Sequence, residues 1–390
     1  MKTTILSVVL FASVTFAKPQ PGLPFLLVWP TARSTALAGA VTGLADDPDA
    51  AFFNPAGRAF QSGTSATTDY ADWLPGLYPG MRHGYVAGTY SLPAESASGR
   101  TVVIGLEATH LNLGRFDSYT EPPEHPEYVW RAAPAVAAAL GLSEHFAVGL
   151  KAKYIHSNLS VEWAWERMPE LGIEFGGTGR TWACDAGILW KPSDRVSVGG
   201  SVVNLGPGIS YPDWNGHAPL PAMLRLGACW TPVSNEYVRI NVLPEFDKLL
   251  VGMFFDTAGT ETFGHELQTE LRDAWKSLGV EVTGLEFVTL RLGYFEDISW
   301  QRGGIVFERD RGEYHHNVYD LLTRRNLGEF KSIGLCWGFG IGYKDYFRLD
   351  VSSDAAIYDF PTQNWKLSLV ANDIAGGIRE LRQGHKPWED

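Results

Sequence analysis

The chain has 390 residues, 45% of them hydrophobic and 19% charged, with Lys+Arg 32 against Asp+Glu 44 and a net charge of -12. That acidic balance excludes a nucleic-acid binder built on a basic face. Beyond residue 17 no apolar run approaches the ~18–20 residues of a spanning helix, so a helical membrane protein is excluded as well. The unusual entries are Gly 42, Trp 14, Tyr 15 and Phe 20, in a chain whose charge lies below the ~25% typical of globular proteins.

The first residues read as an address. Lys2 supplies a positive start, Ile5 to Phe16 is almost wholly apolar, and Thr15-Phe16-Ala17 offers small residues before Lys18-Pro19. This is the pattern of a secretory signal peptide over residues 1–17. In an exported chain the cysteines become informative. Cys184, Cys229 and Cys336 stand far apart, each in an apolar run. They form neither a disulfide framework nor a zinc motif and read as small hydrophobes.

Residues 18–63 follow. Ala32 to Leu44 is small, apolar and mildly helical; Asp46-Asp47-Pro48-Asp49 interrupts it, and Phe52-Phe53-Asn54-Pro55-Ala56-Gly57 comes next. The segment is too short for a domain and is expected to pack as a hatch inside whatever cavity the rest encloses. The three aspartates do not match a calcium loop, so helix caps and loop positions are expected for them.

From residue 64 the period is two. Val102, Ile104, Leu106 and Ala108 share one face while Val103, Gly105, Glu107 and Thr109 share the other; Phe146 to Lys153 and Phe347 to Val351 repeat the pattern. Fourteen such segments are expected near 64–73, 81–92, 100–110, 130–142, 145–159, 180–191, 194–205, 222–231, 236–247, 276–283, 287–296, 330–343, 346–354 and 365–373. From the third onward the connections alternate. Long ones at 111–129, 160–179, 206–221, 248–275 and 297–329 are separated by tight ones such as Ser143-Glu144, Pro192-Ser193 and Lys344-Asp345. A soluble sandwich has no reason to gather its long loops at one end, whereas an outer-membrane barrel does.

The two faces agree. One is apolar; the other is mostly Gly, Ser and Thr with ionisable groups among them. Those groups are Glu107, Lys151, Lys153, Asp185, Arg225, Arg239, Glu281, Arg291, Arg348 and Asp350, expected to face the lumen. Trp130, Tyr154, Trp182, Trp190, Trp230, Trp337, Tyr343 and Trp365 lie near strand ends, where interfacial girdles form. The expected fold is an all-β, fourteen-stranded antiparallel transmembrane β-barrel over 64–373 with an N-terminal hatch over 18–63. Residues 374–390 continue as a polar C-terminal tail.

Little points to catalysis. In the 248–275 loop Phe263, Leu267, Leu271 and Ala274 are spaced as a helix, expected to pack as a lid on the barrel mouth. His315-His316 has no partner at metal-ligand spacing. Gly176-Gly177-Thr178-Gly179-Arg180-Thr181 lacks the phosphate-loop frame. Neither a Ser-His-Asp set nor a carboxylate pair stands out, so no enzyme, cofactor or metal is expected.

Four stretches carry a family resemblance. They are Ala32-Arg33-Ser34-Thr35-Ala36-Leu37-Ala38-Gly39-Ala40 leading to Asn54-Pro55-Ala56-Gly57; Asn204-Leu205-Gly206-Pro207-Gly208-Ile209-Ser210-Tyr211 followed by Leu224-Arg225-Leu226-Gly227; Leu290-Arg291-Leu292-Gly293-Tyr294; and Phe347-Arg348-Leu349-Asp350. Together they make the chain resemble the PorV/PorQ group of outer-membrane proteins, relatives of the FadL transporters. The resemblance implies a fourteen-stranded barrel in the outer membrane, plugged by a hatch that includes Asp46, Asp47, Asn54, Pro55, Ala56 and Gly57. It implies a role in type IX secretion, holding exported cargo by a C-terminal secretion domain and passing it to a surface attachment complex. Outer-membrane lipid, cargo and other secretion components would be its partners. The alternative it carries is a FadL-type transporter of hydrophobic small molecules.

Overall fold

The computed structural model describes residues 21–44, 46–73, 80–92, 101–116, 127–160, 177–212, 216–254, 263–272, 274–297, 332–344, 346–353 and 365–382. The expected signal peptide, the His315-His316 pair and most of the 160–179 and 297–329 loops lie outside them.

Fourteen antiparallel strands close into one barrel. They are β1 (Thr64–Asp72), β2 (Arg82–Ser91), β3 (Val102–Phe116), β4 (Glu127–Gly141), β5 (Phe146–Ser160), β6 (Gly177–Ser193) and β7 (Val196–Leu205). The series continues with β8 (Met223–Ser234), β9 (Val238–Leu249), β10 (Trp275–Gly284), β11 (Val288–Asp297), β12 (Ser332–Tyr343), β13 (Phe347–Ser353) and β14 (Trp365–Ala371). Each pairs with its neighbours in sequence, and β1 closes on β14 with Ala66 opposite Ala371. Closure satisfies the backbone groups that an open edge would leave unpaired.

The face pattern of the sequence sets which side points where. In β6 Trp182, Ile188 and Trp190 lie on the exposed outer face, whereas Ala183, Asp185 and Leu189 are buried inside. Inner and outer residues alternate the same way in β1, β2 and β14. Outward aromatics include Tyr154, Trp230, Trp337 and Trp365, and Trp337 meets Trp365 edge to face across 5.3 Å. No helix among the described residues is long and apolar enough to cross a membrane; the strands supply the apolar band instead.

The barrel is filled. Residues 21–62 run through it from the long-loop end, where Gly22 N–H donates to Pro219 O (2.8 Å), to the short-turn end, where Ser91 N–H donates to Gly63 O (2.9 Å). Helix α1 (Ala32–Ala36) is a single turn, shorter than the sequence suggests. Thr31 and Ser34 cap it reciprocally, and the left-handed backbone at Ala38 and Gly39 ends it. Helix α2 (Ala50–Phe53) follows Asp49, whose side chain caps nothing. Asn54 caps the 3-10 turn Pro55–Phe60, accepting from Ala56 N–H at 3.1 Å, and Pro55 occupies its first position. The capping role expected of the three aspartates is therefore corrected: their carboxylates bind other side chains.

Two further helices lie outside the barrel wall. Helix α3 (Phe263–Arg272) corrects the expected lid. Its anchored side is polar, with Glu270 paired to Lys248 and accepting from Phe254 N–H, while Phe263, Leu267 and Leu271 are exposed. The segment expected to be a polar tail forms helix α4 (Ile374–Arg382) at the short-turn end. Asp373 caps it, accepting from Gly376 N–H.

Candidate functional site in the charged barrel interior

Close contact between the N-terminal segment and the wall depends on inward glycines. A Cβ on Gly293 would stand 2.6 Å from Ala38 N and 2.7 Å from Leu37 C; one on Gly149 would strike the backbone of Pro55 and Ala56. Backbone meets backbone there, so no side-chain adjustment makes room. Thus part of the high glycine content marks the places where the segment is seated.

Around these seats charges pair in three groups. The first centres on Arg33 of α1. Its Nε and Nη2 donate to Glu281 Oε2 and Oε1, both at 2.8 Å, and Nη1 reaches Asp46 at 2.6 Å and Asp47 at 2.9 Å. Glu281 also accepts from Arg291 Nε (2.7 Å), and Arg291 donates to Asp350 (2.7 Å). Arg348 closes the ring, donating to Asp350 (2.6 Å) and pairing with Asp47. Burial would raise the Asp47 carboxyl; Arg33 and Arg348 outweigh it and hold that carboxyl below the usual range.

The second group gathers on Glu107. Arg58, fully buried in the 3-10 turn, donates to it at 2.6 Å, Lys151 at 2.8 Å and Tyr85 at 3.1 Å. Lys151 also donates to Ala51 O (2.6 Å) and pairs with Asp185 (2.8 Å), which Lys153 joins at 2.9 Å. In the third group Arg225 donates to Asp247 (2.8 Å) and lies over the Phe53 ring at 5.1 Å. Its other partner, Glu245 at 3.4 Å, accepts from both Thr42 N (2.8 Å) and Thr42 Oγ1 (2.6 Å).

Of the residues singled out from sequence, Asp46 and Asp47 lie in the first group. The same group takes Glu281, Arg291, Arg348 and Asp350; the second takes Glu107, Lys151, Lys153 and Asp185, and the third Arg225. Arg239 shares the inward face with Asn241 but is only half-buried near the short-turn end of β9. Asn54 Nδ2 donates to Ile188 O (2.8 Å) and Thr42 O (3.2 Å), while Pro55 and Ala56 sit on Gly149. Gly57 N–H donates to Asn54 O (3.1 Å). The partners Arg58, Glu245 and Asp247 were not anticipated. A lone arginine among small apolar residues was the available signal for Arg58. For Glu245 and Asp247 it was their shared parity with Asn241.

Asn204 explains the Asn-Leu-Gly-Pro stretch. Its backbone is left-handed (φ 60), its N–H donates to Asp185 (2.7 Å), Oδ1 accepts from Lys153 (2.6 Å) and Nδ2 donates to Pro221 O (3.0 Å). Here β7 ends, and the chain turns inward to bury Ile209, Tyr211 and Leu220 above the segment.

Among the described residues no group of three His, Cys, Asp or Glu side chains is placed to hold a metal ion. A cavity of about 10 Å³ beside Arg33, Asp47 and Phe53 has the size of a single water site. What the interior does chemically is hold a segment across a closed barrel.

The family model described as "Type IX secretion system protein PorV" matches residues 19–255, more than half of the chain. The chain belongs to the PorV family. It is thus an outer-membrane β-barrel of the type IX secretion family, with its short turns on the periplasmic side and its long loops outside. Similar solved structures include the Pseudomonas putida toluene transporter TodX, 11% identical, TM-score 0.48, covering 87% of this chain and 97% of that one. A Pseudomonas aeruginosa FadL homologue is 13% identical with TM-score 0.42, covering 88% and 98%. The Ralstonia pickettii toluene transporter TbuX is 11% identical with TM-score 0.41, covering 88% and 96%. Comparison with curated proteins returned no match.

Proposed function

We propose that this PorV-family barrel acts in type IX secretion as a plugged docking platform. It binds exported cargo at its extracellular face, by the cargo's C-terminal secretion domain, and passes it to a surface attachment complex. The 111–129, 160–179 and 297–329 loops are the contact surfaces, and the hatch residues Asp46, Asp47, Asn54, Pro55, Ala56 and Gly57 keep the lumen shut. The match to the PorV family carries this reading. The filled interior supports it: with residues 21–62 pinned to the wall by three charge groups, transport of a protein through this lumen would require all of them to break. Binding on the outside asks for no such opening.

Mild-detergent purification of the tagged full chain from its own cells tests the reading. Exported proteins sharing one C-terminal domain should co-purify and be lost when the external loops are shortened. Recovery of bound hydrocarbon or lipid alone, with uptake lost when the hatch is altered, would turn the assignment to FadL-type transport.

A further inference from the structure

Helix α3 stands in the connection from β9 to β10, and the point that fastens it lies on the lipid-facing side of the wall. In β9 Asn241, Leu243, Glu245 and Asp247 point inward, so Lys248 points outward, opposite Leu224 of β8. Register is continuous there, from Met223 opposite Leu249 to Gly227 opposite Glu245, and no bulge turns the lysine back. Its outward neighbour Leu226 is 47% exposed, yet Lys248 is only 5% exposed. Glu270 of α3 covers it and pairs with it.

Outward aromatics give the height of that pair. On β6 exposed Trp182 and Trp190 mark the two edges of the apolar band, and on β8 exposed Trp230, opposite Val242, marks the periplasmic edge. The climb from Val242 to Lys248 is shorter than that from Trp190 to Trp182, so Lys248 stands at the outer edge of the band and not above it. A cation facing lipid is unfavourable unless it is neutralised, and here the carboxylate comes from α3.

The rest of α3 matches that position. At about 100° of turn per residue, Phe263, Leu267 and Leu271 lie about 20°, 60° and 100° round the helix from Glu270, all to the same side. All three are exposed, and exposed Phe254 stacks on Phe263 with ring centroids 5.8 Å apart. They make one apolar flank beside the wall-fastened side, whereas exposed Gln268 and Arg272 lie opposite Glu270. An apolar flank with a polar face behind it is the build of a helix lying in a membrane interface.

We propose that α3 is an in-plane membrane helix, with Phe263, Leu267 and Leu271 inserted among the acyl chains of the outer leaflet. Its apolar flank continues the lipid-facing band of the wall, and the Lys248–Glu270 pair holds it at that depth. The 248–275 connection is thereby kept beside the barrel and off its mouth. The inference rests on the barrel's place in the membrane and not on what the external loops bind.

Fluorescence of the purified full chain in nanodiscs of palmitoyl-oleoyl phosphatidylcholine tests this. A Cys184→Ala background removes the exposed native thiol, Cys229 and Cys336 being buried, and an environment-sensitive label is placed at Leu267→Cys or Gln268→Cys. The label at 267 should emit further to the blue, be quenched by doxyl-labelled lipid and resist iodide severalfold better than the label at 268. Equal iodide quenching at the two positions, in barrels that still run faster unheated than boiled, overturns the proposal. Leu271→Cys decides the matter if Leu267→Cys does not fold. The discs hold no other protein. Protection of the 267 label in the outer membrane of the source cell but not in the discs would put a protein on the stripe, and overturns the proposal equally.

Discussion

Arg33 and Glu281 form a two-point ion pair, Nε to Oε2 and Nη2 to Oε1, each at 2.8 Å, joining the N-terminal segment to β10 with both side chains buried. Residues 248 positions apart are thereby fixed in one geometry. The planar guanidinium matches the carboxylate at two points, which a lysine cannot do. Removing one partner of a buried pair leaves an uncompensated charge, at a cost of about 3–5 kcal/mol. Arg33→Ala should therefore release residues 21–62 without opening the barrel. The expected readout is faster proteolysis within that segment and a measurable ion conductance in planar bilayers. Arg33→Met combined with Glu281→Leu should restore part of the resistance, because one of the buried carboxylates left in excess is then removed. Asp46 still loses its partner, while Asp47 keeps Arg348 and Arg291 keeps Asp350, so the rescue is incomplete. A silent, protease-resistant Arg33→Ala barrel would show that other contacts hold the segment.

Steric seating gives an independent test. Gly293→Val places a side chain against the backbone of Ala36, Leu37 and Ala38, which cannot yield as a side-chain tip would. The cost exceeds about 3 kcal/mol, the upper end for overpacked cores. Displacement of the segment should follow, seen as new reactivity of a cysteine placed at Ala38. Gly84→Val is the matched control, since its Cβ would meet nothing closer than 3.9 Å. Equal behaviour of the two variants would argue against the glycines as seats.

These contacts mark the boundary of what the sequence made legible. The strands were readable because outer and inner residues alternate with period two, as in β6, where Trp182, Ile188 and Trp190 face out and Ala183, Asp185 and Leu189 face in. Closure by β1 with β14 follows from an even count in a membrane. Pairing partners were not readable: Arg58 meets Glu107 only once register and the course of the segment are known. Two amphipathic patterns misled. The apolar stripe Phe263, Leu267, Leu271 suggested a packed lid, but buried Glu270 decides how α3 attaches. Residues 374–382 are polar enough to read as tail, yet Asp373 caps them and Tyr346 and Phe347 receive them.

Asn204 should be difficult to replace. It supplies three hydrogen bonds to Asp185, Lys153 and Pro221 while holding a left-handed backbone, a combination that only a few side chains tolerate. Asn204→Gly keeps the backbone and loses the side-chain bonds; Asn204→Ala loses both. The first should cost about 1–3 kcal/mol from unpaired buried groups, and the second about 1 kcal/mol more from backbone strain. Thermal unfolding in detergent, followed by loss of the fast-migrating form, measures the order. Stability of the alanine variant at or above that of the glycine variant contradicts the backbone part of the argument.

Acidity supplies the last test, through Asp49. Burial, aided by neighbouring Asp47, raises its carboxyl to about 7, against the opposing hydrogen bond from Thr31 Oγ1 at 2.6 Å. The folded segment therefore binds a proton that the released segment gives up at an ordinary carboxylate pKa near ~4. By linkage, retention of the segment should strengthen as pH falls from about 7 toward about 4, and the full cost of the ionised carboxylate should apply above 7. Asp47 works the other way only at lower pH, because its carboxyl is held below the usual range and its pairs with Arg33 and Arg348 fail only in stronger acid. Asp49→Asn keeps an acceptor for Thr31 and carries no charge. It should raise protease resistance of residues 21–62 at pH 8, change little at pH 5, and flatten the slope between. A slope that survives Asp49→Asn would assign the pH dependence to another group.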